Sequence, residues 1–271
     1  MILKNIVTIL LIFIFYQSHL YSKSNSFNDF DRKDLSKYFS GIVAYENKEN
    51  SKALNFFRSS KELIHKHDPY LKRYIYSLVL ENKVTQAISI IKKNKNKNNS
   101  NFFDAKLLLV LDSLKKNNIE KAYTDLKIAF TFAEQERFNS AILETLNEYI
   151  FVFKEKKLLN EKKNFGNLSI ITQTFQKCYL DDIKTESYFT NLINKNDADY
   201  SRYTYFYLTY LIKKNKFNEI KKIISKFDYL NSTLLLSQGK NWIESGNYEK
   251  FQNIFSCQNH NHIISEFLFL I

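Results

Sequence analysis

The chain has 271 residues, with 40 Lys and Arg against 28 Asp and Glu, yet only 4 Gly and 1 Pro. So few turn-formers exclude a β-sandwich, a dinucleotide-binding α/β fold or a phosphate-cradling loop, each of which needs glycine where the backbone turns sharply or meets a ligand. The formal charge of +12 favours acidic partners or an anionic surface without choosing between them.

At the N-terminus, Lys4 precedes an apolar run from Ile6 to Tyr16, broken by Thr8 and followed by Ser18, Ser22 and Ser24. This reads as a secretory signal peptide over residues 1–22, with Ser22 before the cut and residues 23–33 as a linker. An uncleaved anchor is the alternative, although the run is shorter than the about 20 residues a membrane span needs. Export would place the chain in a periplasm, or on a membrane with its folded part in the periplasm.

From Asp34, Leu35, Tyr38, Phe39, Ile42 and Val43 recur at helical spacing. A polar turn, Glu46 to Asn50, follows, and then a second helix bearing Ala53, Leu54, Phe56 and Phe57. The pattern returns around Ala87 and again around Ala122, 34 and 35 residues on. A period near 34 is the mark of stacked helical hairpins. Small side chains suit the places where the two helices of a hairpin cross closely, so Gly41, Ala53, Ala87, Ala122, Ala129 and Gly239, with Phe57, are predicted to set the packing. The run Lys92 to Asn101 reads as a solvated low-complexity loop between repeats.

Gly41, Ala44, Ala53, Phe57 and Ser60, counted from Asp34, resemble the tetratricopeptide repeat family. The second repeat departs from the pattern with Ile75, and the third with Val110. The resemblance implies an all-α fold, a right-handed superhelical array of antiparallel helical hairpins (an α-solenoid). It implies three repeats over 34–133, irregular helical repeats over 134–199 and further repeats over 200–258. In the middle stretch, Phe138 to Phe153 reads as one long helix, with shorter ones at Leu168 to Leu180 and Tyr188 to Ile193. Later, Tyr203 to Ile212 and Leu234 to Ile243 each open a hairpin, and Ile220 and Phe251 stand in the alanine slots. Residues 259–271 read as the start of another repeat. The nearly apolar segment Ile263 to Ile271 is expected to continue in a longer chain or to dock on a partner, because an array needs a polar-faced end to stay soluble.

Cys178 and Cys257 fall on different hairpins and are expected to be unpaired thiols, since a bridge needs Cα atoms within about 7 Å. His65, His67 and the trio Cys257, His260 and His262 lie in inter-repeat loops. They are read as polar turns, because a zinc site wants three or four convergent ligands. Asp181-Asp182 reads as a helix-start signal. No cofactor or metal is expected, and no enzyme activity.

What remains is the concave face, which in the family is lined by the first helix of each hairpin. Here that face would carry Tyr38, Tyr45, Lys72, Tyr76, Arg202, Tyr205 and Lys240, residue types suited to gripping a peptide or helix. Period alone does not separate groove from seam, so several of these aromatics are equally expected in the core. The reading is a non-catalytic interaction scaffold of a bacterial cell envelope. It binds other proteins, acidic ones among them, with peripheral contact to an anionic membrane surface and no nucleic acid. One alternative is the helical arm of a longer peptidoglycan-acting enzyme with its catalytic domain beyond Ile271. Another is a basic helical-repeat RNA binder, which the export signal opposes.

Overall fold

The computed structural model describes residues 31–133, 136–195, 201–225 and 234–270. The signal peptide predicted for residues 1–22 lies outside them. The described residues form α-helices and short 3-10 turns, with no strand among them. The chain divides into two compact units, Met1–Ser100 and Asn101–Ile271.

The first unit holds α1 (Arg32–Glu46), α2 (Asn50–Ser59), α3 (Asp68–Leu80) and α4 (Val84–Lys93), with 3-10 turns at Lys61–His65 and Asn98–Ser100. The Asp31 side chain caps α1 by accepting from the Lys33 N–H at 2.8 Å. Pro69 sits in the first turn of α3, where its missing N–H costs nothing. Successive helices pack on each other, and α1 also packs on α3. Ala53, Phe57, Tyr70, Leu71, Ile75 and Ala87 are fully buried between them. Gly41 faces the Phe57 ring so closely that a Cβ there would stand 2.9 Å from its edge. The absence of a side chain at position 41 is therefore what lets α1 and α2 meet. The tyrosine hydroxyl of Tyr70 donates to the Phe57 carbonyl, satisfying both groups away from water.

The Lys/Asn run is not simply a solvated loop. Asn94 folds back to donate to the Ile90 carbonyl at 2.9 Å, and Asn99 reaches across to the Ile64 carbonyl at 2.7 Å. Asn94 and Ser100 are buried. Asparagine amides can donate to backbone carbonyls near and far in the chain, and a composition-based reading cannot see which ones do.

The second unit holds α5 (Phe103–Lys115), α6 (Ile119–Phe130), the 19-residue α7 (Arg137–Glu155), α8 (Asn167–Tyr179) and α9 (Thr185–Ile193). It continues with α10 (Ser201–Lys213), α11 (Phe217–Ile224), α12 (Leu234–Glu244), α13 (Tyr248–Gln252) and α14 (His260–Leu270). Ala122, Ala129 and Val110 are fully buried in the core it shares with α7. The later hairpins use larger residues around a second glycine. A Cβ on Gly239 would lie 3.0 Å from the Tyr205 ring and 3.2 Å from that of Phe251. Phe251 thus fills the alanine slot because the glycine leaves room opposite. Every residue from Tyr203 to Ile212 on α10 is buried, as expected of a helix covered on all sides. The buried carboxylate of Glu148 on α7 is answered by Lys162 at 3.5 Å and by the Gln176 amide at 3.1 Å. Burial holds the Lys162 ammonium below its ordinary value, with Glu148 pulling the other way.

One turn recurs in both units. Lys48, Asn82, Asn117, Asp181, Asn215 and Gly246 have φ between 54° and 72°, each just past the first helix of a hairpin. In each case the next residue returns its N–H to a carbonyl five residues back: Glu49 to Ala44, Lys83 to Leu78, Asn118 to Ser113, Asp182 to Lys177, Lys216 to Leu211 and Asn247 to Trp242, at 2.7–3.0 Å. This is the Schellman ending, in which a left-handed residue closes the helix and reverses the chain. Asp181 and Asp182 belong to it. The Asp182 carboxylate accepts from the Lys184 N–H at 2.7 Å, and that bond holds it below the usual carboxylate range.

The expectation of unpaired thiols is corrected. Cys178 and Cys257 form a disulfide, with Cα atoms 5.9 Å apart. Hairpin counting put them too far apart, but Phe175 and Phe255 both pack edge-on against Phe206, 4.8 and 5.7 Å between ring centres, and bring the two segments together. The apolar C-terminal helix has cover of its own. It packs within its own unit, on α5, with Ile263, Ile264 and Phe267 buried.

Two substitutions in the first hairpin should have opposite signs. Gly41→Ala is expected to destabilise the chain by about 1–3 kcal/mol, because the fully buried Phe57 ring cannot move aside. Lys48→Gly removes the Cβ penalty of a left-handed residue at an exposed site and should add about 0.5–1 kcal/mol. Urea unfolding followed by far-UV circular dichroism checks both.

Candidate protein-interaction surface

Three of the predicted groove residues lie together on the first helices of the first unit. The Lys72 ammonium stands 5.6 Å from the centre of the Tyr76 ring, both on α3. Tyr45, on α1, receives the Arg73 guanidinium at 5.4 Å. Arg73 also reaches Glu46 at 3.4 Å, so it links α3 to the end of α1. Lys72 is exposed, and Tyr45, Arg73 and Tyr76 are half-buried. Rings holding cations over their faces are prepared to meet an acidic or aromatic ligand without ordering long side chains afresh. Arg73 was not among the residues predicted from repeat position. Its place next to Lys72 and three residues before Tyr76 was the available signal.

Tyr38 is a correction. It is 4% exposed and packs on Phe57, His67 and Tyr70 at 4.8–6.0 Å between ring centres. Burial raises its hydroxyl pKa and lowers that of His67. Tyr205 is likewise a core residue, 4% exposed between Phe251 and Phe255. Helical period placed both on the right helix, but their rings turn inward to fill space that small residues leave opposite. Lys240 pairs with Glu244 one turn along its own helix at 3.5 Å.

Charge separates the two units. Residues 31–100 contain 15 basic and 7 acidic side chains, a net of +8. Residues 101–271 contain 23 and 20, a net of +3 over more than twice the length. The positive excess belongs chiefly to the unit that carries the Tyr45, Lys72, Arg73 and Tyr76 face. A separate apolar cleft of about 560 Å³ lies along α1 and α2, where Phe39 and Val43 are 59% and 61% exposed.

Arg202 has an occupant. Its Nε lies 2.6 and 2.9 Å from the two carboxylate oxygens of Glu266 on α14. The Phe267 ring meets the Tyr149 ring of α7 edge-on at 6.0 Å, and His260 meets Phe153 at 5.7 Å. The side chains of α14 that point inward, His260, Ile263, Ile264 and Phe267, recur at i, i+3, i+4 and i+7, the pattern of an amphipathic helix lying in a groove.

The histidines have no shared ligand. His65 contacts Lys97, His262 accepts from the Ser256 N–H at 3.3 Å, and Cys257 is in the disulfide. Among the described residues no three His, Cys, Asp or Glu side chains gather where they could hold a metal ion, and no helix is long and apolar enough to cross a membrane. Comparison with protein-family models, curated proteins and solved structures finds no match to this chain.

Burial lowers the pKa of both His260 and His262 from the ordinary 6.5; a hydrogen bond to the Leu114 backbone opposes this at His260, and Lys156 lowers His260 further. A histidine that resists protonation when folded stabilises the fold fully above about pH 6.5 and loses that contribution as pH falls below it, when the unfolded chain takes up protons the folded one refuses. The urea midpoint, read from Trp242 fluorescence, should therefore drop between pH 7 and pH 5. A His260→Gln/His262→Gln chain should show a shallower drop over the same interval.

Proposed function

We propose that the chain is a non-catalytic protein-interaction scaffold, a right-handed superhelical array of tetratricopeptide-type hairpins, which takes an acidic partner helix on the α1–α3 face. The observation that carries this reading is the seating of α14. In the second unit a helix lies on α5, α7 and α10, held by one aromatic anchor and one carboxylate–arginine pair. The α1–α3 face offers the same chemistry, two rings and two cations, in the unit with the larger positive charge. The hairpin reading is supported by the turns at Lys48, Asn82 and Asn117, 34 and 35 residues apart, and by the burial of Gly41, Ala53, Ala87 and Ala122. Export to an oxidising envelope compartment is supported by the Cys178–Cys257 disulfide, since such bonds persist outside reducing cytosol.

The full chain, titrated with synthetic acidic helical peptides carrying one aromatic anchor, should bind with micromolar affinity by fluorescence anisotropy. Binding should weaken by about tenfold in Lys72→Ala/Arg73→Ala and in Tyr45→Ala/Tyr76→Ala chains, and should fall as salt rises. Peptide affinity indifferent to all four changes would move the surface elsewhere. Binding of single-stranded RNA that survives high salt would replace this reading with a nucleic-acid one.

A further inference from the structure

The trough in which α14 lies is built like a receptor for a separate helix. Its floor is α5 and α7 and its rim the start of α10, none of them next to α14 in the chain. The occupant brings Ile263, Ile264 and Phe267, all buried, and a carboxylate, Glu266, 3% exposed on Arg202. The opposite side of α14, with Asn261, Ser265 and Leu268, is exposed. At its root His260 has a buried Nε2 with no hydrogen-bond partner, so this end is less well satisfied than the Glu266 end.

The root is also where the chain is fastened. Cys257 stands three residues before α14 and is bonded to Cys178 at the end of α8, closing a span of 79 residues. Both cysteines are buried, and Cys257, 2% exposed, lies at a cleft of about 290 Å³ that Thr209, Lys213 and Gln252 also line. The cleft gives the shorter approach to the bond, on the Cys257 side and beside the positive charge of Lys213.

We infer that α14 is a releasable clasp: the Cys178–Cys257 disulfide holds it in the trough, and reduction frees it so that the trough accepts α14 of a second copy of this chain. The chemistry is thiol–disulfide exchange with a dithiol. One thiolate of the reductant attacks Cys257 Sγ, the Sγ–Sγ bond breaks, and Cys178 leaves as a thiolate that takes up a proton. The second thiol of the reductant then resolves the mixed disulfide, leaving Cys257 as a thiol and the reductant as a disulfide. Two electrons and two protons pass to the protein. With the root unfastened, α14 keeps its side-chain anchors but loses the covalent restraint that made leaving the trough costly. This site shares with the proposed function the observed seating of α14 but uses different residues from the α1–α3 face, so the peptide titrations of that face and the test below can fail independently.

The test has two arms. In the full wild-type chain, hydrogen exchange of residues 260–270 should speed up at least about tenfold on reduction with dithiothreitol, and a Cys178→Ser/Cys257→Ser chain should match the reduced protein without reductant. In the second arm, a labelled peptide of residues 258–271 is titrated into the full chain carrying Phe267→Ala, whose own helix competes weakly. The peptide should bind the reduced form at least about tenfold more tightly than the oxidised form. Arg202→Glu should abolish that binding, and a peptide carrying Glu266→Arg should restore it. Unchanged exchange on reduction, equal or absent peptide binding in both redox states, or failure of the charge reversal to restore binding would each overturn the proposal.

Discussion

The constraint on which the structure depends is the reversal of a helix within three residues by a chain that has almost no glycine. The left-handed conformation costs an L-residue about 1–2 kcal/mol, and asparagine bears it best because its short side chain can bond locally. Asparagine takes the position at 82, 117 and 215, glycine only at 246, and lysine and aspartate take it at 48 and 181. Each reversal has the same two backbone bonds, from the left-handed residue and from the one after it, and so turns the chain back onto the helix it has just left. The second helix arrives where a small residue or a gap must await it, as Gly41 awaits Phe57 and Gly239 awaits Phe251.

This economy has a consequence for surfaces. An apolar helix face cannot stay exposed at low cost. The two units meet the problem differently. In the second, α14 covers α5 and α7 with its own apolar side and places a carboxylate on Arg202. In the first, cations lie over the tyrosine rings of α1 and α3 and keep charge at the surface. A covered face and a charged face imply different availability to other molecules, and the net charges of the two units run the same way.

Much of the fold was legible in the sequence, and for identifiable reasons. The alanines at 53, 87 and 122 are fully buried because helix crossings tolerate nothing larger there, and a steric requirement that repeats leaves a periodic trace. The long α7, the charged stretch after it and the shorter α8 and α9 also follow from apolar spacing and charge runs. The candidate surface was less legible. Tyr45, Lys72 and Tyr76 were found by repeat position, yet the same counting gave Tyr38 and Tyr205, whose rings turn into the core, and passed over Arg73. Position on a helix predicts the face to within a residue or so, and a tyrosine at the edge of that face turns whichever way the space opposite allows.

By itself the sequence determined that the described residues are helical, where most of their helices lie to within a few residues, and which small residues let them cross, because each of these depends on neighbours within one or two turns. Tertiary structure alone decided three things that depend on residues far apart in the chain. Cys178 and Cys257 meet because Phe175 and Phe255 both pack against Phe206. Asn99 caps a carbonyl 35 residues away. The apolar C-terminal helix finds its cover in its own unit, where Tyr149 and Arg202 stand ready for Phe267 and Glu266. Local spacing encodes the need to bury a face, but the partner that buries it is set only when distant helices have taken their places.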